Sequence, residues 1–417
     1  MNNNNSELSI GKLWFLSIAA AMGGFLFGYD TMVINGGEQQ IQKIWSLSSV
    51  MHGWVMSSAL WGTVIGALTG GRITDFLGRK PTLLAVGILY FVSAVWSGIA
   101  LSPTTLMIAR FIGGIGVGVS SIAAPVYISE ISPADKRGRL CALFQFNIVV
   151  GMVVSQIVNY FIGNANLGDA TWRWMLGAEA VPALAFVALC PFLMESPRYL
   201  AAKATGSSTL KAREAGFFSR ANLKPIMLAF TIAMFNQLSG ICAVLYFARR
   251  VFELAGCNSS TALQVTAWLT VLLSIGTFVG LFLIDRIGRR MMLILGGIGY
   301  LVSLFACSIA FVKGWNILAS ACIFLFIFSH AVGQGTVIWV FISEVFPQKY
   351  RAEGQSFGSF IHWMFNASLI FVFPLMAAKM PPWSIFALFG TFMIAHFFWA
   401  IFAVPETKGK SLEEINL

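Results

Sequence analysis

Twelve apolar runs follow one another along the chain, separated by short breaks rich in charge and turn-forming residues. They fall at 12–34, 53–72, 81–101, 104–128, 141–163, 173–194, 225–254, 262–284, 291–312, 316–342, 355–378 and 383–404. About 20 apolar residues cross the hydrocarbon core of a bilayer as a helix, which satisfies its own backbone groups. Barrel strands alternate over about ten residues, and these runs are longer and uniformly apolar. They continue to the C-terminal end, which argues against a secreted protein with one cleaved leader. The pattern predicts an all-α polytopic membrane protein with both termini on one side.

Composition agrees. Hydrophobic residues make up 57% of the chain and charged residues 11%, against roughly 25% charged in soluble domains. The net charge of +10 invites a nucleic-acid reading, but the basic residues are sorted by side. Arg72, Arg79, Lys80, Lys136, Arg137, Arg139, Arg198, Arg286, Arg289, Lys349 and Lys408 all lie in the tails and even-to-odd loops. The positive-inside rule accounts for that excess and puts both termini in the cytoplasm. The six cysteines have no CxxC spacing, and the four histidines fit no HExxH pattern. There is no phosphate-binding loop, and GGIGVG (113–118) lacks a dinucleotide fingerprint. No cofactor, metal or nucleic acid is expected, and no constellation of nucleophile, base or metal ligands suggests an enzyme.

Three charged motifs recur at an offset of about 210 residues. GGRITDFLGRK (70–80) pairs with FLIDRIGRR (282–290), YISEISPADKRGR (127–139) with FISEVFPQKYRAEG (341–354), and MESPR (194–198) with VPETKGK (404–410). A duplicated six-span half explains the shared order. Two similar halves in a membrane suggest a transporter whose substrate sits between them at mid-depth, with access alternating by rocking. Asp75, Arg79, Glu130, Arg137, Arg139 and Glu195 in the first half, and Asp285, Arg289, Glu344, Arg351 and Glu406 in the second, then read as a cytoplasmic gate. Their side chains pair when the ends meet and part when they separate.

Two charges lie inside the spans. Asp30 closes the apolar stretch FLFGYD, and Arg110 stands in TTLMIARFIGG. An ionised group at such depth costs several kcal/mol unless compensated. Pairing the two offsets much of both penalties. A static structural pair, or an acid at a watery span end, fits the same pattern.

GRITDFLGRK, RFIGGIGVG, YISEISPADKRGR, ESPRYL, NQLSGICAVLY, DRIGRR, ISEVFP and VPETKGKSLEE together resemble the sugar porter family of the major facilitator superfamily, in that family's order and over nearly the whole chain. The resemblance implies the major facilitator fold, with twelve transmembrane helices in two pseudo-symmetric six-helix bundles. The expected division is 1–200 for the first bundle, 201–224 for a shortened cytoplasmic linker, 225–405 for the second bundle and 406–417 for a cytoplasmic tail. It implies a monosaccharide carried through a central cavity, and it implies the Asp30–Arg110 pair, since proton-coupled members carry these residues at these places. The expected function is proton-coupled symport of a pentose or hexose, by a monomer in the lipid bilayer of a bacterial cytoplasmic membrane. Asp30 is the member that exchanges the proton, because a guanidinium keeps its charge. A facilitative uniporter, or more remotely a sugar sensor without transport, stands as the alternative.

A sugar offers hydroxyls around an apolar ring face, so amides and aromatic faces are the groups to look for. Mid-span candidates are Gln156, Asn236, Gln237, Tyr246, Trp339, Trp363 and Asn366, with Phe27 near Asp30. By resemblance, each of these except Asn236 is a residue type the family commonly uses on its sugar. Cys242 occupies a place where the family carries an asparagine, Asn236 a place of glutamine, and Leu273 a place that often holds an asparagine. His330-Ala331 and Arg351-Ala352 also depart from the usual pattern. Ser239-Gly240 and Gly333–Gly335 are expected weak points of their helices.

Overall fold

A computed structural model describes residues 9–133, 136–165, 167–204, 217–347 and 350–408. Most of the predicted linker (205–216) and of the tail (409–417), and the side chain of Arg137, lie outside the described residues. The first half contains α1 (Ile10–Ile44), α2 (Ser49–Leu77), α3 (Arg79–Ile99), α4 (Pro103–Ile131), α5 (Arg137–Asn164), α6 (Thr171–Gly177) and α7 (Ala180–Leu189). A short helix α8 (Pro197–Ala204) follows. The second half contains α9 (Leu223–Leu238), α10 (Ile241–Tyr246), α11 (Ala248–Leu254), α12 (Ser259–Ile287), α13 (Arg289–Lys313), α14 (Asn316–His330), α15 (Thr336–Val345), α16 (Arg351–Lys379) and α17 (Pro382–Phe402). Among the described residues, eleven helical stretches are long and apolar enough to cross a membrane. At 29 residues, α2 is a twelfth of spanning length, made more polar by His52, Arg72, Asp75 and its serines and threonines.

Several helices outrun or divide the predicted spans. The first apolar run stops at residue 34, yet α1 continues to Ile44 because Asn35 and Glu38 are buried against other helices. The sixth span divides at Ala178-Glu179, where Pro182 removes the donor that would reach the Ala178 carbonyl. Val181 N–H bonds that carbonyl instead at 3.2 Å. The seventh span breaks at Ser239-Gly240, with Gly240 in the left-handed region at φ +85°. The tenth carries a π-helical turn over Ala331–Gly335. Both expected weak points are thus interruptions.

Helix ends follow local chemistry. Ser48 and Asn258 cap α2 and α12 by accepting the N–H of Met51 and Thr261. Ser102 and Thr105 form a capping box on α4, with Pro103 in the first turn. Inside the first half, α2 and α4 touch backbone to backbone. A Cβ on Gly114 would sit 1.8 Å from the Ala59 carbonyl oxygen, and one on Gly62 would sit 2.1 Å from that of Phe111. Small residues permit such crossings, which give membrane helices their packing.

Apolar side chains bury into three main groups. One lies within each half, around Tyr90 and Tyr127 in the first and around Phe341 and Leu293 in the second. The third joins the halves through Tyr29, Val33, Val55, Phe247 and Phe373.

Candidate binding site and gates

Asp30 of α1 and Arg110 of α4 are in contact and buried, each 2% exposed. Arg110 Nη1 donates to Asp30 Oδ1 at 2.5 Å, and Nη2 donates to the Asp30 backbone carbonyl at 3.0 Å. Gly113 keeps α4 close: a Cβ there would stand 2.3 Å from Ser93 Oγ and 3.7 Å from Asp30 Oδ1. A third ionisable group belongs to the site. Glu179, at the break between α6 and α7, is 2% exposed and interacts with both Asp30 and Arg110. Glu179 is absent from the sequence-based candidates, although it is a carboxylate within an apolar run, the feature that singled out Asp30.

The predicted sugar ligands gather at the interface of the halves. Phe27 of α1 lies 5.5 Å from Trp363 of α16, ring to ring, so the halves meet through an aromatic pair. His362 stands 5.1 Å from Trp363 and 4.9 Å from Trp339 of α15. Gln237 Nε2 donates to Asn236 Oδ1 at 3.0 Å and lies 3.2 Å from a His362 ring nitrogen. Cys242 reaches both Gln237 and Asn366. Gln156 of α5 donates to the Met32 carbonyl at 3.0 Å, which anchors it on α1. The buried atoms Gln156 Oε1, Gln237 Oε1, Asn236 Nδ2 and Asn366 Oδ1 have no hydrogen-bond partner among the described residues. Unmet buried polar atoms are costly, and acceptors and donors presented together beside aromatic faces suit a polyhydroxyl ligand. His362 was not singled out from the sequence, where a lone span histidine resembles packing. Here it links the amide pair to both tryptophans. Tyr246 is buried beside Cys242, and Leu273 is buried in the same apolar cluster as Tyr246 and Trp363.

The repeated charged motifs build matching structures on the face that carries the ends of the chain. Arg79 donates through Nε and Nη2 to Glu130 at 2.9 and 2.8 Å, and Arg289 does the same to Glu344 at 3.0 and 2.8 Å. Asp75 pairs with Arg79 and Asp285 with Arg289, each at 3.1 Å. Glu195 accepts the backbone N–H of Arg79 at 2.9 Å, and Glu406 that of Arg289 at 3.0 Å, placing carboxylates at the N-termini of α3 and α13. These bonds of Arg79 and Arg289 lie within one half each. Arg139 is exposed, and Arg351 Nε and Nη2 are buried without a hydrogen-bond partner among the described residues.

The opposite face is where hydrogen bonds cross between the halves. Asn35 Nδ2 donates to the carbonyls of Leu245 and Tyr246 at 2.7 and 3.0 Å. The break after Tyr246 frees those carbonyls from helical partners. Gln39 donates to Glu253 at 2.7 Å, and Arg249 donates to the Gly36 carbonyl at 2.9 Å. Asn35, Gln39, Arg249 and Glu253 were not sequence candidates, because their contacts depend on where α10 and α11 divide; Tyr246 was one, and here its carbonyl is the group used.

The profile of the family described as "Sugar (and other) transporter" matches residues 16–215 and 203–417. The chain is 31% identical to a glucose transport protein of Synechocystis, over 99% of this chain and 98% of that protein. It is 32% identical to a D-xylose transporter of Levilactobacillus brevis, over 98% and 96%. A D-xylose-proton symporter of Escherichia coli is 29% identical over 99% and 96%. Among solved structures, an inward-open form of the xylose transporter from E. coli superposes with a TM-score of 0.85 at 28% identity, covering 97% of this chain and 99% of that one.

Proposed function

The chain belongs to the sugar transporter family of major facilitators, a multi-pass membrane transporter and not an enzyme, and from that premise we propose that it imports a pentose or hexose together with a proton. The observation that carries this reading is the buried contact of Asp30 with Arg110, with Glu179 beside it; α1, which holds Asp30, also carries Phe27 of the amide and aromatic cluster. One guanidinium faces two carboxyl groups, so neutrality of the buried trio leaves a place for one proton on the acids. A proton on Asp30 weakens its grip on Arg110, frees α1 from α4, and favours the change of access. Relatives whose names give arabinose-proton and xylose-proton symport support the coupling.

The sugar lies between Phe27, Trp339 and Trp363, with its hydroxyls on Gln156, Asn236, Gln237, His362 and Asn366. The excess of basic residues on the face holding the chain ends supports a cytoplasmic position for that face, in a bacterial inner membrane. The hydrogen bonds across the opposite face support an inward-facing state. Asp75, Arg79, Glu130, Glu195, Asp285, Arg289, Glu344 and Glu406 then form the cytoplasmic gate, each motif rigidifying its own half so that the halves move as bodies. The potential adds roughly 2.3 kcal/mol per charge per 100 mV to uphill entry.

Purified protein in proteoliposomes, offered a panel of labelled monosaccharides with and without an inward proton gradient, tests the reading. Gradient-driven accumulation of at least one sugar is expected, and Asp30→Asn should abolish it while sugar exchange persists. Uptake that only equilibrates, whatever the gradient, would return a uniporter instead. Accumulation surviving in Asp30→Asn would remove Asp30 from the coupling.

A further inference from the structure

The face away from the chain ends holds a charge cluster that the proton and sugar sites do not use. Glu38, in the last turns of α1, and His52, in the first turn of α2, are both fully buried. Arg250 of α11 crosses from the other half. Its Nε stands 3.1 Å from Glu38 Oε1 and its Nη2 3.2 Å from Glu38 Oε2, and Nη2 also donates to Gln42 Oε1 at 2.5 Å. His52 Nε2 lies 3.2 Å from Glu38 Oε2, and the histidine ring meets Phe247 edge-on at 5.9 Å. The imidazole therefore walls the carboxylate from the far side while touching the start of α11.

A carboxylate with no solvent contact depends on its counter-ion, and removing that partner leaves a charge that the interior cannot solvate. Any movement that carries α11 away from α1 does that to Glu38. Such a movement has both a pivot and a space to enter. The left-handed Gly240 precedes α10, and an apolar cavity of about 110 Å³ lies against α10 and α11, lined by Val244, Leu254, Phe373 and Phe389.

We infer that Glu38 and Arg250, walled in by His52, are the lock of the outer gate, and that the strength of this lock sets how often the carrier faces outward. The inference rests on the alternating-access reading above. It concerns the gate alone, so its test needs neither sugar flux nor a proton gradient.

Cys242, at the sugar site and partly exposed, serves as the reporter, and Cys257→Ser removes the other partly exposed thiol near the outer face. In right-side-out vesicles carrying the full chain, a membrane-impermeant maleimide reads access to Cys242 from outside. Glu38→Gln and Arg250→Gln should each speed that labelling by at least about tenfold. The double variant should be no faster than either single one, because both remove the same interaction. Arg250→Lys, which keeps the charge but not the two-pronged geometry, should fall between. Arg250 is partly exposed, so Arg250→Gln carries the test should Glu38→Gln fail to accumulate. A folded Arg250→Gln variant that labels no faster than the parent, or a double variant whose rate is the product of the single effects, overturns the inference.

Discussion

Arg110 presents one positive charge to two acids, and the proposed proton coupling turns on which of them holds a proton. Glu179→Gln removes one acid and leaves the Asp30–Arg110 contact in place. It should therefore fold and exchange sugar but accumulate it less against a gradient, measured as the steady-state ratio in proteoliposomes. Asp30→Asn leaves Glu179 as the remaining counter-ion for Arg110, so its loss of stability should stay under the 3–5 kcal/mol of an orphaned buried charge, read by thermal unfolding in detergent. On the sugar side, Gln237→Ala deletes a donor to Asn236 and a contact with His362. It should weaken sugar binding by about tenfold, the equivalent of one or two hydrogen bonds, seen as a raised KM with little change in the maximal rate. Residues of this kind are legible when the chemistry is context-free. A charge in an apolar run is costly in any fold, which exposes Asp30 and Arg110 and would equally expose Glu179. Asn35 is different: it matters because the carbonyls of Leu245 and Tyr246 come free beside it, and nothing near residue 35 in the chain announces that.

Helix ends and breaks set the geometry at the next scale. Gly78 and Gly288, at φ +99° and +94°, turn the chain from α2 into α3 and from α12 into α13. An added Cβ would lie 2.5 Å from Glu195 Oε2 and from Glu406 Oε2 respectively. Gly78→Ala and Gly288→Ala should each lower stability by about 1–3 kcal/mol from backbone strain alone, with a further loss from displacing the carboxylate, and the two should match within error in thermal unfolding. Gly114→Ala is harsher, since its Cβ meets the Ala59 carbonyl, which belongs to the backbone of α2 and cannot turn aside. That variant should fail to accumulate as folded protein. Existence and order of the spans were readable because lipid admits only long apolar helices. The extension of α1 past residue 34 was not, because Asn35 and Glu38 are buried by neighbours rather than exposed at a membrane edge.

The molecule as a whole is built on repetition. Arg79, Glu130 and Glu195 in the first half hold the same bonds as Arg289, Glu344 and Glu406 in the second. Glu130→Gln and Glu344→Gln should each cost about 2 kcal/mol, and their effects should add in the double variant, because the bonds of Glu130 and Glu344 share no partner among the described residues; additivity within about 0.5 kcal/mol in denaturation measurements is the check. Strong non-additivity would mean that the motifs are bonded to each other. Residue order settles the all-helical membrane architecture and the two-fold repeat, and singles out Asp30 and Arg110 as charges within apolar runs, since each rests on solvation penalties or internal similarity that act before any long-range contact forms. That Glu179 joins the pair, that His362 links the amides to the tryptophans, and that the halves are tied on the face opposite the chain ends emerge only once the chain is folded. Those facts depend on which helix faces which, within a half as well as between the halves, and the hydrophobic pattern of a membrane helix is nearly blind to that because lipid and protein neighbours are equally apolar.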